Sequence, residues 1–324
     1  MRLGVVGMLP ADFREITDQH LAQIAALKLT AGAFHAPGAM LAGVTAAEAH
    51  AVRDRFAGAG MDLAQFGIGF GECLFDPAQD VRDALLATIG GGLRVAADLA
   101  AGCCLIRTGS LSDRGSYSPD PRNHSPESHQ LLVDSLRRVA DAAEAAGVTV
   151  VVETHLLTIM NSPEKNAAVL GEVGSSHLQV VMDCVNHFQT LYQVYDSPAR
   201  IDQIFDSMGP ISCVGHLKDA KVRDGFVIHI DEEVPGEGDL DLGHLLRRWH
   251  QLHPEGYMLL EHLPNEKYPL AASNAHRIAA EAGVEIDHED GQPAQEDQAD
   301  DVGGWAAEVD LYLFPGHCLG RAHL

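Results

Sequence analysis

The chain has 324 residues, 46% of them hydrophobic, and a formal net charge of −24. That length and apolar content suffice for one large α/β barrel with a tail, or for two ordinary domains, the single barrel being the simpler reading. The acidic balance excludes a broad polyanion-binding surface, because nucleic-acid binding runs on clustered Lys and Arg, and no basic run is present.

Along the chain, short apolar runs alternate with amphipathic ones. MRLGVVGM opens it as a strand-like run stopped by Pro10, too short for the core of an export signal, and no later stretch reaches membrane-spanning length. Strands are predicted to begin near Leu3, Ala33, Met61, Cys103, Val148, Leu178, Ile211 and Tyr257. Helical spacing fills the intervals, in TDQHLAQIAALKL, TAAEAHAVRDRFAGAG, VRDALLATIGGGLRVAADLA, SPESHQLLVDSLRRVADAAEAAG, SPEKNAAVLGEVG, SPARIDQIFDSMG, DLGHLLRRWHQL and PLAASNAHRIAAEAG. Several of these open on Ser or Thr followed by Pro or an acid and several close on Gly, the residues that cap helix ends. Strict alternation of eight strand and helix units predicts an α/β fold, a parallel sheet closed as a (β/α)8 TIM barrel. An open doubly wound sheet is the competitor, and it would not gather four strand ends around one point.

After Gly283 the composition changes, so the barrel is expected to span residues 1–284 and a C-terminal extension residues 285–324. HEDGQPAQEDQADD is acidic and poor in large apolar residues, which predicts a flexible linker. The segment beyond it carries Trp305, Leu311, Tyr312, Leu313 and Phe314, which predicts docking on the barrel or on a partner chain. The six cysteines (Cys73, Cys103, Cys104, Cys184, Cys213, Cys318) lack CxxC spacing and mostly fall inside predicted strands, as buried reduced thiols do. A soluble, cytoplasmic protein is the expectation.

Four polar residues end apolar runs: Glu153 in VTVVVETH, Asp183 in LQVVMDC, His216 in ISCVGHLKD and Glu261 in YMLLEHL. A charged group at the end of a buried strand must be paired or bound to something. In a (β/α)8 barrel the carboxyl ends of the strands carry the chemistry. Four such groups from four strands can therefore converge on one metal ion, and three carboxylates with one imidazole suit Mn²⁺ or Mg²⁺ better than zinc. Alternation along the strand places His155 on the face of Glu153, one step above the metal, and Lys218 on the face of His216 near the barrel mouth. Arg107 and His35 end their own strands and, with Lys218 and Asn186, are expected to bind substrate. Gln65 is a weaker candidate for lining the pocket. His187 and His262 flank ligands but alternate away from the barrel axis, which predicts supporting roles.

These residues resemble the xylose isomerase-like barrel superfamily, which includes sugar epimerases, inosose dehydratases, endonuclease IV-type apurinic endonucleases and C-glycoside-cleaving enzymes. The resemblance covers about residues 1–284. It rests on Glu153, on Asp183 with Asn186, on His-Leu-Lys-Asp at residues 216–219, on Pro-Gly-Glu-Gly at residues 235–238 and on Glu261. It implies that Glu153, Asp183, His216 and Glu261 are the ligands of one divalent ion and that the two glutamates flank the substrate carbon. Ketose 3-epimerases of the superfamily carry a further Glu, His and Arg where this chain has Ile159, Asn186 and Val222, so a free ketohexose is not the expected substrate. The nuclease branch binds several zinc ions, and its additional ligands are displaced or replaced here at Asn186, His229 and Asp231.

The implied chemistry is enolisation of a keto-sugar or keto-glycoside. A divalent ion holding a carbonyl oxygen and its neighbouring hydroxyl stabilises the enediolate formed when Glu153, Glu261 or His155 removes the intervening proton. Return of the proton elsewhere makes an isomerase or epimerase. Departure of a leaving group makes a lyase or dehydratase, such as a C-glycoside deglycosidase subunit. The resemblance also implies a homo-oligomer, or a hetero-oligomer with a small β-rich subunit, with neither nucleic acid nor membrane as partner.

Overall fold

Thr17, Thr45, Ser125 and Ser162 each accept the backbone N–H three residues on, which fixes four of the predicted helix starts. Gly147 and Gly174 close two of those helices in the left-handed conformation, where a side chain would be strained. The computed structural model describes residues 1–287. In chain order its elements are β1 (Arg2–Val6), α1 (Asp18–Ala25), β2 (Ala31–Pro37), α2 (Gly38–Leu41), α3 (Ala46–Gly58), β3 (Asp62–Gly69), α4 (Gln79–Leu99), β4 (Cys104–Arg107), α5 (Pro126–Ala146) and β5 (Val150–Glu153). There follow α6 (Pro163–Val173), β6 (Leu178–Met182), α7 (Leu191–Tyr195), α8 (Ser197–Met208), β7 (Ser212–Leu217), β8 (Asp219–Arg223), β9 (His229–Glu233), α9 (Leu242–Leu252), β10 (Tyr257–Leu260) and α10 (Tyr268–Glu281).

Eight of the strands close a parallel barrel in the order β1-β10-β7-β6-β5-β4-β3-β2, each at a predicted position. The expected TIM barrel is therefore the fold. The antiparallel hairpin β8–β9, which rises from the end of β7, was not predicted. Its sequence alternates charge rather than apolarity, and Phe226, Val227 and Ile228 at its tip are exposed.

Two apolar layers result. Between strands and helices lies the large core, with Phe13 stacked on Phe34 at 5.4 Å and Phe66 set edge-on to Phe34 at 5.6 Å. Inside the barrel a smaller cluster includes Ala33, Leu105, Val151, Val181, Val214 and Leu259. Because strand side chains alternate, the residue two positions beyond each of the last four also points inward. Those residues are Glu153, Asp183, His216 and Glu261. The same step from Leu105 and Ala33 gives Arg107 and His35.

The N-terminus closes onto the end of the described chain: Met1 donates to the Glu285 carbonyl at 3.1 Å, and the Asp287 N–H donates to the Met1 carbonyl at 2.8 Å. The expected docking of residues 305–314, and Cys318, lie outside the described residues. Among the described residues Cys73, Cys103, Cys104, Cys184 and Cys213 are free thiols, and no helix is long and apolar enough to cross a membrane.

Candidate metal centre and barrel mouth

Glu153, Asp183, His216 and Glu261 meet at the carboxyl end of the barrel, buried, each offering one ligand atom within 4.8 Å of the others. His216 Nδ1 lies 2.9 Å from Glu261 Oε1 and 3.8 Å from Asp183 Oδ2. Its other nitrogen, Nε2, is 3.0 Å from Gln65 Oε1. A glutamine oxygen there accepts a hydrogen bond from Nε2–H and leaves Nδ1 facing the centre, the arrangement that orients metal-bound imidazoles. Sequence reading had placed Gln65 on the pocket wall only. The missed signal is a register shift, in which Gly32 and Ala33 of β2 pair with Leu63 and Gln65 of β3. That slip skips Ala64 and turns Gln65 inward, and strict alternation hides it.

Lys218, expected near the mouth to bind substrate or to pair with a local acid, is 1% exposed, with Nζ 2.8 Å from Asp183 Oδ2 and 2.6 Å from Glu261 Oε1. Burial alone would lower its pKa, but those carboxylates outweigh it and raise it well above the usual lysine range. Burial pushes the Asp183 carboxyl up, and Lys218 and His216 reverse this, bringing it to about 2. Glu261 is held well below the carboxylate range, where burial is outweighed by His216, His262 and Lys218. Burial lowers His216 and the two carboxylates outweigh it, lifting it to about 10.

The donor set fits a divalent cation. Asp183 Oδ2, His216 Nδ1 and Glu261 Oε1 are buried and converge on one point, held by charge pairing with Lys218 and with one another rather than by hydrogen bonds of good geometry. Three carboxylates against one ammonium leave two negative charges, which a dication balances while displacing the proton on His216. Glu153 would complete the set, and its Oε2 accepts a hydrogen bond from the Tyr117 hydroxyl. Tyr117 was not singled out from sequence, since it sits in a long polar loop with no periodicity to mark it.

Around this centre lies a ring of nitrogen groups. Strand β5 ends at Glu153, so His155 stands past the strand, partly buried at the mouth, with its ring edge-on to Tyr117 at 5.9 Å. The Leu157 N–H donates to His155 Nδ1 at 3.2 Å. Burial lowers the His155 pKa, and with Nδ1 accepting from Leu157 the ring presents its N–H on Nε2. Arg107 donates to the Phe70 carbonyl and lies over the rings of Phe70 and Tyr117, at 5.5 and 5.7 Å. His35 pairs in register with Gly67, where a Cβ would come within 2.0 Å of its ring, so only glycine on β3 accommodates it.

His262 departs from the expected outward orientation. Its φ of +57° breaks the strand alternation and brings Nε2 to 3.7 Å from Glu261 Oε1, while Nδ1 is 3.2 Å from Glu232 of the hairpin. The Glu261 carboxylate raises its pKa to about 8. His187 points away as expected: it is fully buried, 3.1 Å from Thr154 Oγ1, and burial depresses it to about 4. Asn186 ties the turn after β6 to β5, donating from Nδ2 to the Thr154 carbonyl at 3.3 Å.

The two sequence motifs after β7 prove to be one device. Asp219 accepts from the N–H groups of Ala220, Gly236, Gly238 and Leu240 at 2.8 to 3.2 Å. A Cβ on Gly238 would fall 2.2 Å from Asp219 Oδ1, so the glycine is required for that approach. The pairing anchors the loop following the hairpin to the end of β7, and Asp219 is thereby a loop anchor.

The family described as xylose isomerase-like TIM barrel matches residues 21–318. No curated protein matches the chain. Among solved structures it is similar to 3-keto-D-glucoside 4-epimerase from E. coli, with a TM-score of 0.64 at 15% identity over 86% of this chain and 99% of that one. It is also similar to D-psicose 3-epimerase from Clostridium cellulolyticum H10, solved with D-tagatose, with a TM-score of 0.66 at 15% identity over 88% and 100% of the two chains. A xylose isomerase-like barrel from Mycobacterium smegmatis, solved in complex with magnesium, gives 0.63 at 14% identity over 87% and 96%. At such identities the structural likeness speaks for the fold, and it is the family match over most of the chain that places it: the protein belongs to the xylose isomerase-like TIM barrel family.

Proposed function

We propose that the protein is a divalent-metal-dependent enzyme of carbohydrate chemistry that enolises a keto-sugar or keto-glycoside, acting as an epimerase or isomerase. The observation that carries this reading is the convergence of four buried ligand groups, three of them with an atom that makes no hydrogen bond, beside one buried ammonium. The carboxylate-rich donor set favours Mn²⁺ or Mg²⁺ over zinc. Bound there, such an ion supplies Lewis acidity toward a substrate carbonyl.

The protein groups divide the remaining work. Glu261 touches three cationic groups and is a poor proton acceptor, whereas the Tyr117 partner of Glu153 is a neutral phenol. Glu153 is therefore the base that takes the proton next to the carbonyl. His155 presents Nε2–H to the mouth and serves as a hydrogen-bond donor to a substrate oxygen, rather than as a second base. Substrate binding at Arg107, Asn186 and His35 belongs to this proposal, and so does assembly into a homo-oligomer or with a small β-rich subunit. The test is exchange of the α-proton of methyl 3-keto-glucopyranoside and of D-fructose with deuterated solvent, with and without Mn²⁺. Metal-dependent exchange on either probe supports enolisation, and no exchange on both counts against it.

A lyase outcome is favoured by one feature, the donor tautomer of His155, since an N–H above the centre stabilises a departing group. His155→Ala is expected to slow turnover about a hundredfold, the scale of general acid–base and donor catalysis, with metal content and melting temperature unchanged. Lost stability with an intact rate would make His155 a packing residue.

A further inference from the structure

Resting on the enolisation reading, we infer that Tyr117 is a positioning residue of the proton transfer, acting through Glu153. The side chain lies at the junction of three groups at the mouth. Its hydroxyl donates to Glu153 Oε2, its ring meets His155 edge-on, and the Arg107 guanidinium covers its face. A carboxylate that both faces a cation and accepts a proton must keep its two oxygens apart in role, and a single neutral donor on Oε2 fixes that orientation without the tight hold that a cation would impose.

The loop that carries Tyr117 is built to hold it there. Ser116 Oγ donates to the Gly71 carbonyl at 3.4 Å, and Ser110 Oγ donates to the Ser118 carbonyl at 2.6 Å, so the chain is pinned on both sides of the tyrosine. Fully buried Asn123 donates to Ser110 Oγ at 2.9 Å and accepts the Leu111 N–H at 2.9 Å, closing the loop on itself. Such polar fastening of a segment without regular structure is what supports a group needed in one place.

In the step itself the substrate C–H bond breaks and its electron pair enters the enediolate, while the proton forms an O–H bond on Glu153 Oε2. The phenol O–H stays intact and turns to accept from the new carboxylic acid. The acid is thereby kept oriented until it returns the proton, and no oxidant or further reactant is consumed.

Tyr117→Phe keeps the ring and removes only the hydroxyl; Tyr117→Leu removes both. α-Proton exchange on methyl 3-keto-glucopyranoside and D-fructose and Mn²⁺ affinity by calorimetry are measured for both variants and the wild type. The expected result is a fall in kcat for exchange of about ten- to hundredfold in Tyr117→Phe, the scale of one hydrogen bond to a charged group, with KM and Mn²⁺ affinity unchanged within about threefold. Tyr117→Leu is expected to lose a similar factor in kcat. A near-wild-type Phe variant beside a crippled Leu variant overturns the proposal in favour of ring packing, and a Phe variant that loses Mn²⁺ overturns it in favour of ligand support. Absence of exchange in the wild type overturns the enolisation reading and this inference with it, whereas exchange that is equal in wild type and Phe variant overturns this inference alone.

Discussion

Glu261→Gln is expected to lose bound Mn²⁺ and turnover together, metal affinity by more than about a hundredfold and kcat by about a thousandfold or more. The substitution preserves shape and one carbonyl oxygen, so the loss comes from charge. Glu261 Oε1 faces His216 Nδ1 at 2.9 Å and Lys218 Nζ at 2.6 Å, and a neutral amide leaves both cations against Asp183. With only Asp183 and Glu153 left as carboxylates, the two positive groups crowded around Asp183 repel an incoming dication. Elemental analysis of the purified variant beside its turnover checks this. Full activity with no bound ion would remove the metal centre from the mechanism.

Lys218→Met is expected to destabilise the metal-free protein by about 3–5 kcal/mol, the usual cost of removing one partner from a buried ion pair. Methionine fills much the same volume, but Asp183 is then left buried with only His216 beside it, and Glu261 with His216 and the more distant His262. A dication binds the folded state alone, so saturating Mn²⁺ should restore a large part of the loss by mass action. Urea unfolding with and without Mn²⁺ measures both quantities. A variant equally stable in both conditions would mean that Lys218 is not the counter-charge of the centre.

Both effects follow from the crowding of charge at the barrel's carboxyl end, and most of that crowding was legible in the chain. The period-two apolar runs that end in Glu153, Asp183, His216 and Glu261 place inward residues at fixed steps, so the fold and the four converging groups follow from local rules. The helix starts followed for the same reason, because a cap is a contact between residues three apart.

Contacts between distant segments belonged to the tertiary structure alone. Gln65 reaches His216 across 151 positions and only because β3 slips register against β2. Tyr117 reaches Glu153 from a loop with no periodicity, and Asp219 finds Gly236 and Gly238 only once the β8–β9 hairpin folds between them. Alternation also misplaced His262, since one left-handed residue redirects a side chain without leaving a pattern in the sequence. Lys218 shows the limit most clearly. Its inward direction was readable from His216, but whether its ammonium met solvent or carboxylates depended on how closely β6, β7 and β10 approach, which closure of the barrel decides and no single strand encodes.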